Sequence, residues 1–184
     1  MAVLSKEQAQ NIASVHDIDW TVWQPIEQAT LLFIRQDEQL LLIRKKRGLG
    51  GGKINAAGGR LEAGESPKEC AVRELQEELC ITVTDPKYAG EILFQFKDGY
   101  SFHLIVYMGS NFEGIPTETD EAMPLWIPVN AIPYDEMWAD DIFWVPTMLQ
   151  NELFFGYFLF DGETMVDGWM APPAEVTSWL RAFE

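Results

Sequence analysis

The sequence predicts a mixed α/β fold, either α+β or an α/β sandwich built on a mixed sheet. Three observations carry this. Apolar runs of strand length outnumber helical segments, hairpin turns join most of them, and a strongly capped amphipathic helix interrupts the series.

Taken in order, residues 1–27 read as an N-terminal extension packing on the core, and residues 28–184 as a single domain. Ser5-Lys6-Glu7-Gln8 can cap a short helix, and "DIDWTVWQP" then leads into the body. Trp20 and Trp23 there either cover the core or meet another subunit. "ATLLFIRQDEQLLLIRKK" is two apolar strands around a polar turn, and the glycine-rich loop "RGLGGGKINAAGG" follows. "EILFQFKDGYSFHLIVYM" is a second hairpin with Asp98-Gly99 at its turn. "LWIPVNAIP" is a short strand and a turn. "ADDIFWVPTMLQ" is a helix that Pro146 should kink or shorten, "ELFFGYFLF" a strand, and "PAEVTSWLRAF" a terminal helix.

The chain of 184 residues has 13 basic and 29 acidic residues, a formal charge of −16. Such a surface repels nucleic acid polymers and anionic membranes, so neither is an expected partner; the chain is expected to be a monomer. Six of the basic residues (Arg44, Lys45, Lys46, Arg47, Lys53 and Arg60) nevertheless gather around the glycine loop. Cys70 and Cys80 are ten residues apart along one helix, roughly 15 Å and too far for a disulfide. No signal peptide or membrane-spanning run is visible, so a cytoplasmic setting is expected.

"GGRLEAGESPKECAVRELQEELCI" carries the chemistry. Ser66-Pro67-Lys68-Glu69 supplies an N-cap, a proline at the first helical position and a capping box. Val72, Leu75 and Leu79 form an apolar stripe. Glu74, Glu77 and Glu78 stand at i, i+3 and i+4, crowding one face near the C-terminus, where the helix dipole penalises anions by roughly 0.3–1 kcal/mol each. The arrangement is either a solvated acidic face or the seat of a hard divalent cation, which would outweigh both repulsions. "GLGGGKI" is not a phosphate-binding P-loop, because Arg47 and Ile54 stand where glycine and Ser/Thr are needed.

Gly59, Glu65, Arg73-Glu74-Leu75, Glu77-Glu78 and Ile81, at their spacing, resemble the Nudix box; Cys80 stands where that family usually has glycine. The resemblance extends over residues 28–170 through "LLIRKKRGLGGGKINAAGG", "GEILFQF", "TETDEAMPLW", "MWADDIFWVP" and "FFGYF", and is similar to the oxidised-purine nucleoside triphosphatase branch. It implies the Nudix α/β/α sandwich with a mixed sheet between helices. It also implies hydrolysis of modified purine (deoxy)nucleoside triphosphates to the monophosphate and pyrophosphate, with Mg²⁺ as cofactor and Mn²⁺ as a substitute. By that resemblance Glu74, Glu77, Glu78 and the Gly58 carbonyl hold the metal, Glu121 is an additional ligand or the general base, and Arg73 ties helix to loop. Lys45 lies near the phosphates, with Lys53 or Arg60 assisting. Thr30, Asn55, Phe94, Trp138, Asp140 and Asp141 meet the base.

Plainer roles stand beside these. Asp140 or Asp141 could N-cap the following helix, Trp138 and Phe94 could be core, and Glu121 could be a solvated loop acid. Leu49 and Ala57 replace phenylalanines of the relatives, which leaves base preference open. His16 and His103 lack partners at metal-ligand spacing. Other Nudix substrates, or a non-catalytic nucleotide-binding module, are the alternatives; retention of every box glutamate favours an enzyme.

Overall fold

The computed structural model describes residues 2–172 and Glu175. In chain order its elements are α1 (Lys6–Asn11), β1 (Glu27–Gln36), β2 (Gln39–Lys45), β3 (Ile54–Asn55), β4 (Ala57–Arg60), α2 (Pro67–Leu79), β5 (Ile81–Val83), β6 (Lys87–Phe96), β7 (Ser101–Gly109), β8 (Phe112–Gly114), β9 (Ala122–Pro128), α3 (Asp141–Leu149), β10 (Phe154–Asp161) and β11 (Thr164–Met170). Chain contacts divide it into two compact units. Ala29–Tyr88 with Ile105–Trp138 form one, which contains α2; the other comprises residues up to Gln28, Ala89–Leu104, and residues from Ala139 on.

In the α2 unit, β1 and β2 form the expected hairpin, with Gln36 opposite Gln39 and Asp37 in the left-handed region of the turn. β2 pairs antiparallel along its whole length with β9, from Gln39↔Pro128 to Lys45↔Ala122. β4 pairs with β1, and β5 with β8. Helix α2 starts as its sequence dictates: Ser66 Oγ accepts from the Glu69 N–H, and the Glu69 carboxylate accepts from the Ser66 N–H. Its stripe of Ala71, Leu75 and Leu79 joins Leu32, Ile34, Leu41 and Ile43 in one buried core.

The other unit is ordered around β10, which runs parallel to β6 and antiparallel to β11. The sheet is therefore mixed, the expected α/β class. Seven successive residues of β10 are buried, as befits a strand covered on both faces. Phe155, Tyr157 and Leu159 face a cluster with Ile12, Val15, Ile18 and Trp23 of the N-terminal segment, and Trp20 packs on Tyr157 at 4.5 Å between rings. Phe154, Phe158 and Phe160 alternate to the opposite side, against Trp144, Phe94 and Phe96. Asp167 accepts from Ser14 Oγ and the Val15 N–H, fastening the N-terminal segment to β11.

Strand β11 is absent from the sequence reading: apolar Val166 is exposed and Asp167 half-buried, so no polar–apolar alternation marks it after the Asp161-Gly162 turn. Pro146 is accommodated inside α3. The helix expected over "PAEVTSWLRAF" lies almost wholly outside the described residues, as does the end of the 28–184 domain. No helix among the described residues is long and apolar enough to cross a membrane.

Candidate active site

The α2 unit places two glycines of β4 directly beside the acidic helix. Gly58 and Gly59 pair with Leu31 and Thr30 of β1. A Cβ on Gly58 would fall 1.9 Å from the Thr30 carbonyl oxygen, and one on Gly59 would fall 2.3–2.5 Å from the Glu74 carboxylate. Neither position has room for a side chain, so the strand is pressed onto the site. The Gly58 N–H donates to Glu78 Oε2 at 3.0 Å.

Arg73 ties the loop to the helix. Its Nε and Nη2 meet the two oxygens of Glu65 at 2.8 and 3.0 Å, a bidentate pair, and Nη2 also donates to the Arg60 carbonyl. Nη1 donates to Glu74 at 2.7 Å and to Glu77 at 3.2 Å. Held by Arg73, the Glu65 carboxyl drops to about 2, while the Arg73 guanidinium is itself held further up.

Glu78 and Glu74 move the other way. Burial pushes Glu78 up to about 7, and the charges of Glu74 and Glu121 add to the rise; the Gly58 N–H and the Lys45 ammonium oppose it. Burial also raises Glu74, against Arg73 and Lys45. Glu77 is more than half exposed. The three carboxylates thus share the helix face, but Glu74 and Glu77 are turned onto Arg73 and Glu78 onto Gly58. Among the described residues, no group of three acidic, His or Cys side chains converges as a metal cage.

The donor set nevertheless fits a hard dication. Glu78 and Glu74 are carboxylates forced together at the edge of burial, with Gly59 leaving space for one of them, and the suppression of their ionisation is what an added +2 charge would reverse.

Glu121 is brought to this neighbourhood by the C-terminus of α2. The last helical carbonyls, Glu78 and Leu79, accept from Thr119 Oγ1 and the Thr117 N–H, and Thr119 Oγ1 also accepts from the Glu121 N–H. The Glu121 carboxylate pairs with Arg47. Cys80 takes the left-handed position (φ 59°) that glycine would ordinarily fill, so the helix ends normally and the thiol-bearing residue bears the strain.

The basic island around the glycine loop is largely neutralised: Arg44 pairs with Glu136, Lys46 with Glu118 and Arg47 with Glu121. Lys45 instead faces the Glu74–Glu78 carboxylates. Lys53 Nζ sits 5.2 Å from the centre of the half-buried Trp138 ring, and a Cβ on Gly50 would strike Trp138 Nε1 at 2.7 Å. The loop therefore fixes that indole, which is not core. Asn55, on β3, accepts from the Ala56 N–H through Oδ1. Thr30 is buried, its hydroxyl donating to Cys70 Sγ at 3.3 Å.

In the α3 unit, Asp140 and Asp141 are both buried. Asp140 stands at the N-cap position, but its side chain caps nothing; Oδ2 accepts from Trp144 Nε1 at 2.9 Å, and Oδ1 has no partner. Burial pushes its carboxyl up to about 6, against the Trp144 hydrogen bond. Phe94 is 5% exposed and stacks on Phe102 at 4.6 Å. Phe102 and Trp144 escaped the sequence reading; aromatics recurring at 94, 96 and 102 of a hairpin, and an Asp–Trp pair at i, i+4, were the available signals.

Comparison with known proteins fits this geometry. The model of the NUDIX domain matches residues 25–148. The chain belongs to the Nudix family. That family of hydrolases generally needs divalent metal ions. Similar Nudix relatives include the "Oxidized purine nucleoside triphosphate hydrolase" of Danio rerio, 41% identical over 138 residues, covering 74% of this chain and 88% of the relative. The protein of the same name from Mus musculus is 34% identical with the same coverage. Among solved structures, a MutT protein from Bacillus halodurans superposes with a TM-score of 0.71 at 25% identity, over 80% of this chain and 99% of that one.

Proposed function

We propose that this Nudix hydrolase cleaves oxidised or otherwise modified purine (deoxy)nucleoside triphosphates to the monophosphate and pyrophosphate, in the cytoplasm, as a monomer and without a nucleic acid polymer. The observation that carries hydrolysis is Glu78: 2% exposed, held on the Gly58 N–H, and raised to about 7 beside Glu74 and Glu121. The substrate class is supported by the Danio rerio and Mus musculus relatives, whose names state it.

Glu74, Glu77, Glu78 and Glu121 would hold Mg²⁺, or Mn²⁺ in its place, with the Gly58 carbonyl completing the shell. A bound dication supplies neutralisation of charge growing on the phosphates and a more acidic attacking water. Glu78, held through Oε2 on the Gly58 N–H, or Glu121 would serve as the general base. Arg73 keeps the acidic face aligned by clamping Glu65, Glu74 and the Arg60 carbonyl. Lys45, with Lys53 or Arg60, attracts the triphosphate.

Asn55 offers a purine edge both a donor and an acceptor. Trp138, its indole fixed by Gly50 and Lys53, flanks the ring, and Thr30 and Phe94 shape its surroundings. Asp140 and Asp141 hydrogen-bond the base. With a carboxyl raised to about 6, Asp140 passes between donor and acceptor near physiological pH, which suits altered donor patterns on damaged purines.

The test is pyrophosphate release with Mg²⁺ from 8-oxo-dGTP, 2-hydroxy-dATP, N6-methyl-dATP and dGTP, measured side by side. A modified purine preferred over dGTP by about ten-fold or more, roughly 1.4 kcal/mol, is expected. Equal turnover of all four, or of none with the metal bound, would reject the substrate class and direct the search to dinucleoside polyphosphates and nucleotide sugars.

A further inference from the structure

Trp144 is placed one turn along α3 from Asp140, on the same side of the helix, and its indole N–H reaches Asp140 Oδ2 at 2.9 Å. The indole is fully buried and stacked on Phe154, with 5.1 Å between rings and 25° between planes, so it has no alternative orientation within the packing. The carboxyl it holds makes no helix cap, although it stands at the cap position. Among the described residues, Asp140 Oδ1 is the buried side-chain polar atom left without a partner. A buried acceptor in that state is costly unless something outside the chain pairs with it.

An indole N–H donates and never accepts. The oxygen in front of it is thereby fixed as an acceptor in both ionisation states of the carboxyl. Any proton that Asp140 holds must sit on Oδ1. We infer that Trp144 is a positioning residue for base discrimination: by occupying Oδ2, it leaves Oδ1 as the single atom of Asp140 that addresses the purine, donating when protonated and accepting when ionised. The inference rests on the reading of Asp140 as a base-contacting residue. Without the indole N–H the carboxyl can rotate and carry its proton on either oxygen, and the pattern offered to the base is no longer unique.

The experiment is a double-mutant cycle read as base discrimination, the ratio of kcat/KM for 8-oxo-dGTP over dGTP. Two replacements remove the N–H: Trp144→Phe, and incorporation of benzothienylalanine at position 144, which swaps N–H for sulfur in a ring of nearly the same size and keeps the packing should the phenylalanine variant not fold. Each is made with Asp140 intact and with Asp140→Ala, and Asp140→Asn is made alone. With Asp140 intact, the ratio is expected to fall about ten-fold, the scale of one lost hydrogen bond, mainly through a higher KM for the modified nucleotide. In the Asp140→Ala background the same replacement should change the ratio by less than about two-fold, because its effect runs through that carboxyl. An unchanged ratio in the benzothienylalanine protein, with Asp140→Asn alone altering it, would overturn the role of Trp144 and leave the base reading standing. Equal effects in both backgrounds would overturn it as well. If Asp140→Asn lowers turnover of both nucleotides equally, the base reading fails and the role of Trp144 fails with it.

Discussion

Glu78 on α2 and Asp140 at the start of α3 are each 2% exposed, and burial pushes each carboxyl upward, to about 7 and about 6. Their surroundings differ. Glu78 takes a backbone N–H and has charges about it: Lys45 attracts, Glu74 and Glu121 repel. Asp140 has one indole N–H, aromatic packing beyond it, and an oxygen with no partner. Equal desolvation therefore produces two kinds of group. Surplus negative charge around Glu78 suits a cation and phosphates, whereas Asp140, with one oxygen held by the indole and the other unpartnered, suits one hydrogen bond whose direction depends on its proton.

Removing the clamp should break the first region most severely. Arg73→Ala leaves Glu65 and Glu74 without their guanidinium, an expected loss of about 3 kcal/mol in urea unfolding near neutral pH. Because Glu65 is depressed from 4.5 to about 2, its contribution is fully present above pH 4.5 and disappears as pH falls through about 2. The variant should lack that acid-dependent loss; a parallel acid profile would refute the clamp.

The second region responds in the opposite direction. Asp140 binds its proton more tightly folded than unfolded, about 6 against 3.8. The stability it lends is therefore complete below pH 3.8 and is lost as pH rises through about 6. Asp140→Asn cannot ionise, so relative to the parent it should gain on the order of 1 kcal/mol between pH 5 and pH 8. Thermal melts at the two pH values check this, and a constant gap would show that the carboxyl is not desolvated.

The smallest expected effect sharpens the local geometry of α2. Cys80→Gly relieves a left-handed residue at φ 59° and should raise stability by about 1 kcal/mol, with hydrolysis unchanged. Loss of stability would mean that the thiol side chain contributes packing that outweighs the strain.

What the sequence made legible was local. The cap of α2, its apolar stripe, the shared face of the three glutamates and the hairpin turns at Asp37 and Gly99 all follow from residues within one turn or two of each other. Strands β3, β4, β5 and β8, two to four residues each, owe their existence to distant partners and leave little periodic signal. The basic island looked open because its neutralising acids, Glu121 and Glu136, arrive from 74 and 92 residues away. Asp140 was ambiguous for a different reason. An aspartate before a helix satisfies the pattern for an N-cap and for an i, i+4 partner of Trp144, and only the backbone angles at residue 140 separate them.

The most direct measurement is pyrophosphate release from 8-oxo-dGTP, at saturating Mg²⁺, by the parent protein and by Glu78→Gln. Glutamine keeps an acceptor for the Gly58 N–H and nearly the same volume, so the fold should persist while the carboxylate charge is lost. The expected result is a fall in kcat of at least about 10²-fold with a melting transition no lower than that of the parent. A near-normal rate in the folded variant would contradict the placement of catalysis on the acidic face of α2.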